Sequence, residues 1–250
     1  MSHSPAVTTL MNASWQSAEQ SHRGNKRKNN EDSVLSRPDV ALFAVADGMG
    51  GHMAGDVASQ AITDALGRLK MAGSLSENVD QVEDVLLSVN DELRLHAQTE
   101  CRGGTVGSTV VTLLADGDVG VVLWAGDSRL YRYRSGRLEQ VTRDHNPVSD
   151  LLDSGMVSEA EALAADTNII TRAVGGQASL LLDVAVFDVD SRDTLLLCSD
   201  GLYRELDEDV LSDALERDCL EEAATALMTR TLAGAAKDNV SLVLARPGEP

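Results

Sequence analysis

The chain has 250 residues, 43% of them apolar, with 21 Lys+Arg against 40 Asp+Glu for a formal net charge of −19. That apolar share builds a real core and excludes disorder of the whole chain, and aromatics at 3% leave the core to Leu, Val, Ile and Ala. The acidic balance excludes a protein that grips duplex DNA by its phosphates or lies on an anionic membrane through basic patches.

In chain order, residues 1–10 read as a loose tail and 11–248 as a single domain. The N-terminal stretch has no basic segment followed by an apolar one, so no signal peptide is expected. No apolar run approaches the length of a membrane span, so no membrane insertion is expected either. Residues 40–46 (VALFAVA) predict a buried strand closed by Asp47-Gly48. Val57, Ala61, Ala65 and Leu69 recur at four-residue spacing and predict a helix. A second helix, from about Glu77 to Thr99, carries the stripe Val79, Val82, Leu86, Val89 and Leu93.

From Gly107 to Val141 the pattern becomes one of strands, at 110–114, 119–124, 130–134 and 138–141. Asp116-Gly117, Gly126-Asp127 and Ser135-Gly136 punctuate them, which predicts an antiparallel meander. Residues 146–166 are polar and weakly helical, a surface excursion. Strands follow at 182–188 and 194–199, a helical pair at about 207–233, and a last strand at 240–245. Helices, then strands, then helices again suit segregated layers better than a βαβ repeat. The expected fold is α+β, a four-layer α/β/β/α sandwich with two central antiparallel sheets.

The cysteines Cys101, Cys198 and Cys219 are odd in number and lack CxxC spacing, which suits a reducing compartment and makes the cytoplasm the expected location. The chemistry lies with the aspartates. Asp47, Asp127 and Asp200 each follow an apolar strand beside a glycine, and Asp238 stands just before the last strand. One Asp-Gly pair is ordinary turn chemistry. Four such carboxylates on strands that converge at one rim call for cations, and an all-oxygen set suits magnesium or manganese. The segment Arg23-Gly-Asn-Lys26-Arg27-Lys28 puts four basic residues in six and runs into Asn29-Asn30-Glu31-Asp32. A cationic fork beside carboxylates can hold an anionic substrate against a metal.

These residues resemble the metal-dependent Ser/Thr protein phosphatases of type 2C, in their compact bacterial form. Seven motifs carry the resemblance in order: Arg27 to Asp32, FAVADGMGGHMAGDVAS (43–59), Gly107-Ser-Thr109, WAGDSRLYRYRSGRLEQVTRDHN (124–146), NIITRAVGG (168–176), LLLCSDGLYREL (195–206) and KDNVSLVLA (237–245). The resemblance implies two or three Mn or Mg ions and hydrolysis of phosphoserine and phosphothreonine on proteins by a metal-activated water. Asp47 would bridge two ions, and Gly48 would ligate through its carbonyl. Asp200 and Asp238 would complete the first shell, and Glu31 would act on the second ion through water. Asp127, with Asp200, would hold a third and weaker ion. Arg27 would bind phosphate, and Arg27 and Asp47 would be catalytic. Residues 146–166 would be the flap beside the site. The implied partners are phosphorylated proteins and an opposing Ser/Thr kinase, with no nucleic acid, and the chain would act as a monomer.

Other readings of the same residues are weaker. Cys198 to Arg204 fits C-x5-R, the loop of cysteine-dependent phosphatases, but Asp200 inside it would repel phosphate. Asp188-x-Asp190 has Arg192 where a phosphoaspartate motif needs Thr or Val, and the glycines of 48–55 lack the Lys of a nucleotide loop. A dead binding module of the same fold would have lost the carboxylates that are present here. Met49 follows Asp47-Gly48 and cannot donate a proton to the leaving oxygen. His52 either swings toward the site as that donor or, as expected here, caps the helix that begins near Ala54, which leaves a metal-bound water at the Asp127 site as the donor.

Overall fold

Alternation along the central strands sorts every second side chain into a different layer. The computed structural model describes residues 15–50, 54–101, 104–153 and 169–248. The strands are β1 (Trp15–His22), β2 (Asp32–Arg37), β3 (Leu42–Gly50), β4 (Val106–Ser108), β5 (Val110–Asp116), β6 (Val119–Ala125), β7 (Arg129–Arg134), β8 (Arg137–Gln140), β9 (Asp183–Asp188), β10 (Thr194–Cys198) and β11 (Val240–Pro247). The helices are α1 (Ala54–Gly67), α2 (Leu75–Thr99), α3 (Pro147–Asp153), α4 (Asp200–Tyr203), α5 (Glu208–Leu215) and α6 (Leu220–Ala233).

One sheet has the order β1-β11-β10-β7-β8 and the other β2-β3-β5-β6-β9, with β4 on the end of β3; every strand pair is antiparallel. On β3, Leu42, Ala44 and Ala46 face α1 and share one core cluster with Ile62 and Leu66 of α1 and Leu86 and Leu93 of α2. Phe43 and Val45 point the other way, into a core between the sheets with Leu130, Leu195, Leu197 and Val243. On β10 and β11, Leu196, Cys198, Leu242 and Leu244 turn outward beneath α5 and α6. Strands covered on both faces read as unbroken apolar runs, which is why these were legible. The result is the expected four layers.

Three local expectations are corrected. The 40–46 strand does not stop at Asp47-Gly48: β3 runs on to Gly50, and its end pairs with β4. The stretch 107–141 is not one meander. β5–β6 and β7–β8 are hairpins of different sheets, and the chain crosses between the sheets at 126–128. The N-terminal polar segment contains β1 and β2, two strands that periodicity did not announce. Pro147–Asp153 at the start of the excursion is helical. The 1–10 tail, most of the 146–166 flap and His52 lie outside the described residues. Among the described residues, no helix is long and apolar enough to cross a membrane.

Candidate active site

The carboxylates gather at one end of the two sheets because small residues let four segments meet there. A Cβ on Gly48 would stand 2.0 Å from the Gly55 carbonyl oxygen, so only glycine lets β3 lie against the start of α1. A Cβ on Gly201 would stand 1.9 Å from the Asn239 carbonyl oxygen, which fixes α4 beside the residues leading into β11. Asp47 on β3 is thus brought to Asp200, the first residue of α4, and to Asp238. The Gly107-Ser-Thr109 motif holds the Asp47 backbone: Thr109 Oγ1 accepts from the Asp47 N–H at 3.1 Å, and the Thr109 N–H donates back to the Asp47 carbonyl at 2.9 Å.

Asp32 lies opposite Asp47 across β2 and β3. It is buried, accepts from Ser199 Oγ at 2.8 Å, and leaves its Oδ1 without a partner. Asn239 clamps the basic loop to this rim. It accepts from the Glu31 N–H at 2.9 Å and donates to the Arg23 and Asn29 carbonyls at 3.0 and 2.9 Å. Arg27 reaches across to Asp238, Nη2 to Oδ2 2.7 Å, with half of its side chain still in solvent.

The electrostatics are those of crowded anions. Burial, and then the charges of Asp32, Asp200, Asp127 and Asp238, hold the Asp47 carboxyl well above the ordinary range, although part of its surface is open to solvent. Burial pushes Asp32 up to about 7 and Asp127 up to about 6. Burial also raises Asp200 and Glu31, against the neighbouring charges of Arg204 and Arg27 respectively. Carboxylates packed this closely are stable as anions only with cations among them.

The donors fit a pair of hard divalent ions. They are all oxygen, and Asp200 Oδ1 is buried without a hydrogen-bond partner. One oxygen of Asp238 is taken by Arg27 and one of Asp200 by Arg204. Among the described residues, no three carboxylate, imidazole or thiol groups already surround one point. Ion binding would therefore draw Asp238 from its arginine.

A profile of the protein phosphatase 2C family matches residues 19–235. The chain belongs to the protein phosphatase 2C family. Its relatives include the serine/threonine phosphatase stp of Listeria welshimeri, 32% identical over 231 residues, covering 89% of this chain and 92% of stp. PppA, a key regulatory component of T6SS in Pseudomonas aeruginosa, superposes with a TM-score of 0.85 at 41% identity, over 93% of this chain and 97% of that one. The catalytic domain of the serine/threonine protein phosphatase PstP, in complex with two manganese ions, gives 0.82 at 32% identity, over 94% and 99%.

Within this 2C phosphatase, the predicted residues Arg27, Glu31, Asp47, Gly48, Asp200 and Asp238 come to one rim. Asp127 sits beside them at the crossing between the sheets. Cys198 does not join them: it is fully buried under α5, and burial pushes its thiol up to about 12, so no thiolate is available there. Asp32, Asn239 and Ser199 stood inside the quoted motifs without a role, and Arg204 only in the rejected C-x5-R reading. Apart from the Arg204–Asp200 pair four residues apart, their partners lie far along the chain, so only the folded geometry reveals what they do.

Proposed function

We propose that this 2C phosphatase removes phosphate from serine and threonine side chains of proteins with two Mn or Mg ions, held by Asp47, the Gly48 carbonyl, Asp200 and Asp238, with Glu31 beside the second. The observation that supports this reading is the gathering of mutually repelling aspartates at one rim, with Asp200 Oδ1 buried and partnerless and the half-exposed Arg27 on Asp238. When bound, the ions supply Lewis-acid charge and lower the pKa of water.

The chain's own groups do the remaining work. Arg27 stands at the edge, half in solvent, and bonds Asp238 through Nη2; its planar fork suits two-point contact with phosphoryl oxygens. Asp32 lies behind Asp47, tied to the other sheet through Ser199, whose Oγ accepts from the Ser241 N–H at 3.0 Å. That tie fixes the spacing of Asp47 and Asp200. The reaction consumes one water and returns inorganic phosphate and a hydroxyl side chain. Met49, next to the Asp47-Gly48 pair, supplies no proton to that hydroxyl. The enzyme acts in the cytoplasm as a monomer, opposing a Ser/Thr kinase.

The test is hydrolysis of a phosphothreonine peptide and of an aryl phosphate with added manganese, with magnesium and in excess chelator. Turnover is expected only with a metal, and equally in a Cys198→Ala variant. Activity that survives chelation and is lost with Cys198 would overturn the reading.

A further inference from the structure

The Asp127–Asp200 pocket, which the resemblance reserves for a third ion, already holds a cation of the chain itself. The Asp127 side chain is 3% exposed, so its charge needs a partner inside the protein. Arg204 places Nη2 3.2 Å from Asp127 Oδ2 and Nε 3.1 Å from Asp200 Oδ2. Arg204 caps the C-terminal end of α4, the turn that Asp200 begins, and its backbone N–H bonds the Asp200 carbonyl at 3.0 Å. The neighbouring Tyr203 fastens the same turn to the same aspartate, its hydroxyl donating to the Asp127 carbonyl at 3.0 Å. The Tyr203 ring lies 3.6 Å from the guanidinium carbon of Arg129, which is itself held by two bonds to Asp144 at 2.9 and 2.8 Å.

We propose that Arg204 is the resident cation of this pocket, standing where a third metal ion would stand, so that the enzyme carries two ions and not three. The proposal rests on the two-ion reading above. A guanidinium keeps its proton at any working pH, so Arg204 cannot vacate the pocket by titration, as a lysine could. An entering ion would have to break both charge-assisted bonds and sit within a few ångströms of the displaced positive charge. Magnesium also keeps most of its water shell, for which a pocket filled by a guanidinium has no room. The division of Asp200 is consistent: Oδ2 serves Arg204, and the partnerless Oδ1 is the oxygen left for the ion pair.

The experiment counts bound Mn2+ by calorimetry and, independently, by the electron paramagnetic resonance signal of the free ion. It compares the unaltered protein with R204A, R204K and the double variant R204A/D127N. Two ions are expected in the unaltered protein and in R204K. R204A should gain one further, weaker ion, and R204A/D127N should lose it again. Three ions in the unaltered protein, or no gain in R204A, overturns the proposal. If R204A does not fold, judged by its circular dichroism and melting, R204Q takes its place in the same comparison. Fewer than two ions in the unaltered protein defeats the two-ion reading alone. The Asp127-dependent gain on removing Arg204 still decides the proposal.

Discussion

Asp47 and Arg27 sit on the same rim but answer to different measurements. Asp47 has four other aspartates acting on its charge, so it is the carboxylate whose loss most weakens the hold on cations. Asp47→Asn, and likewise Asp238→Asn, should lower kcat by at least about 10²-fold, the scale of removing a key electrostatic group. Steady-state hydrolysis of an aryl phosphate in saturating manganese checks this. Arg27→Ala should instead raise KM for a phosphopeptide by a factor matching about 1.5–3 kcal/mol, the range for hydrogen bonds to a charged group. Because Arg27 competes for Asp238, the same variant should bind manganese at least as tightly as before, which calorimetry reads. Weaker manganese binding in Arg27→Ala would mean that the arginine orients Asp238 for the ion.

At the scale of elements, the helices, the covered strands and the edge strands β8 and β9 were legible, and the edge strands β1 and β2 were not. The stripe Val82, Leu86, Val89 and Leu93 does join the core beneath the helices, with α2 packed on α1, β4 and β5. Leu86→Ala there should cost about 2–5 kcal/mol, measured by urea denaturation, with kcat per folded molecule unchanged. β1 (WQSAEQSH) lies at a sheet edge and keeps few apolar residues, so its alternation is faint. The start of α2 had a readable sign that periodicity passed over: Ser74 and Glu77 form a reciprocal cap, which sets the first turn at Leu75. The turn at 126–128 shows the limit of such signs. Gly126, at φ 113°, announces a reversal, but no local residue says that the next strand joins the other sheet. The site divides in the same way. Asp47, Asp200 and Asp238 announce themselves beside apolar strands. Asp32 acquires its role only when Ser199, 167 residues away, bonds it.

For the whole molecule, the crowded rim makes stability depend on pH and metal together. The folded pKa values of Asp32 and Asp127, about 7 and about 6, lie above the ordinary 3.8. Folding therefore favours their protonated forms. Their contribution is fully present below about pH 4 and is lost as pH rises through about 6–7. In chelator, the melting temperature should fall between pH 5.5 and pH 8. Manganese should add most stability at the alkaline end, about 2.7 kcal/mol for one site at a hundred times its Kd. Asp32→Asn should flatten the metal-free slope. A slope unchanged in that variant would place its origin in the chain's net charge of −19 instead.

The pairing of β1 with β11 joins strands from opposite ends of the sequence, all eight positions in register from Trp15 with Pro247 to His22 with Val240. Among the described strands, β11 alone lies between β1 and β10. During synthesis, β1 therefore has no ladder partner among the described strands until Val240–Pro247 has left the ribosome. Ser21 must wait for Ser241, 220 residues later, and closing so long a loop is slow. The helix-covered sheet of β2, β3, β5, β6 and β9 is complete by Asp188 and can form first. The oxygens of Asp200 and Asp238 join that sheet's Asp47 only when the late strand docks. A nascent chain halted before Val240 would carry every rim residue but not the strand that seats them, so activity waits for that strand.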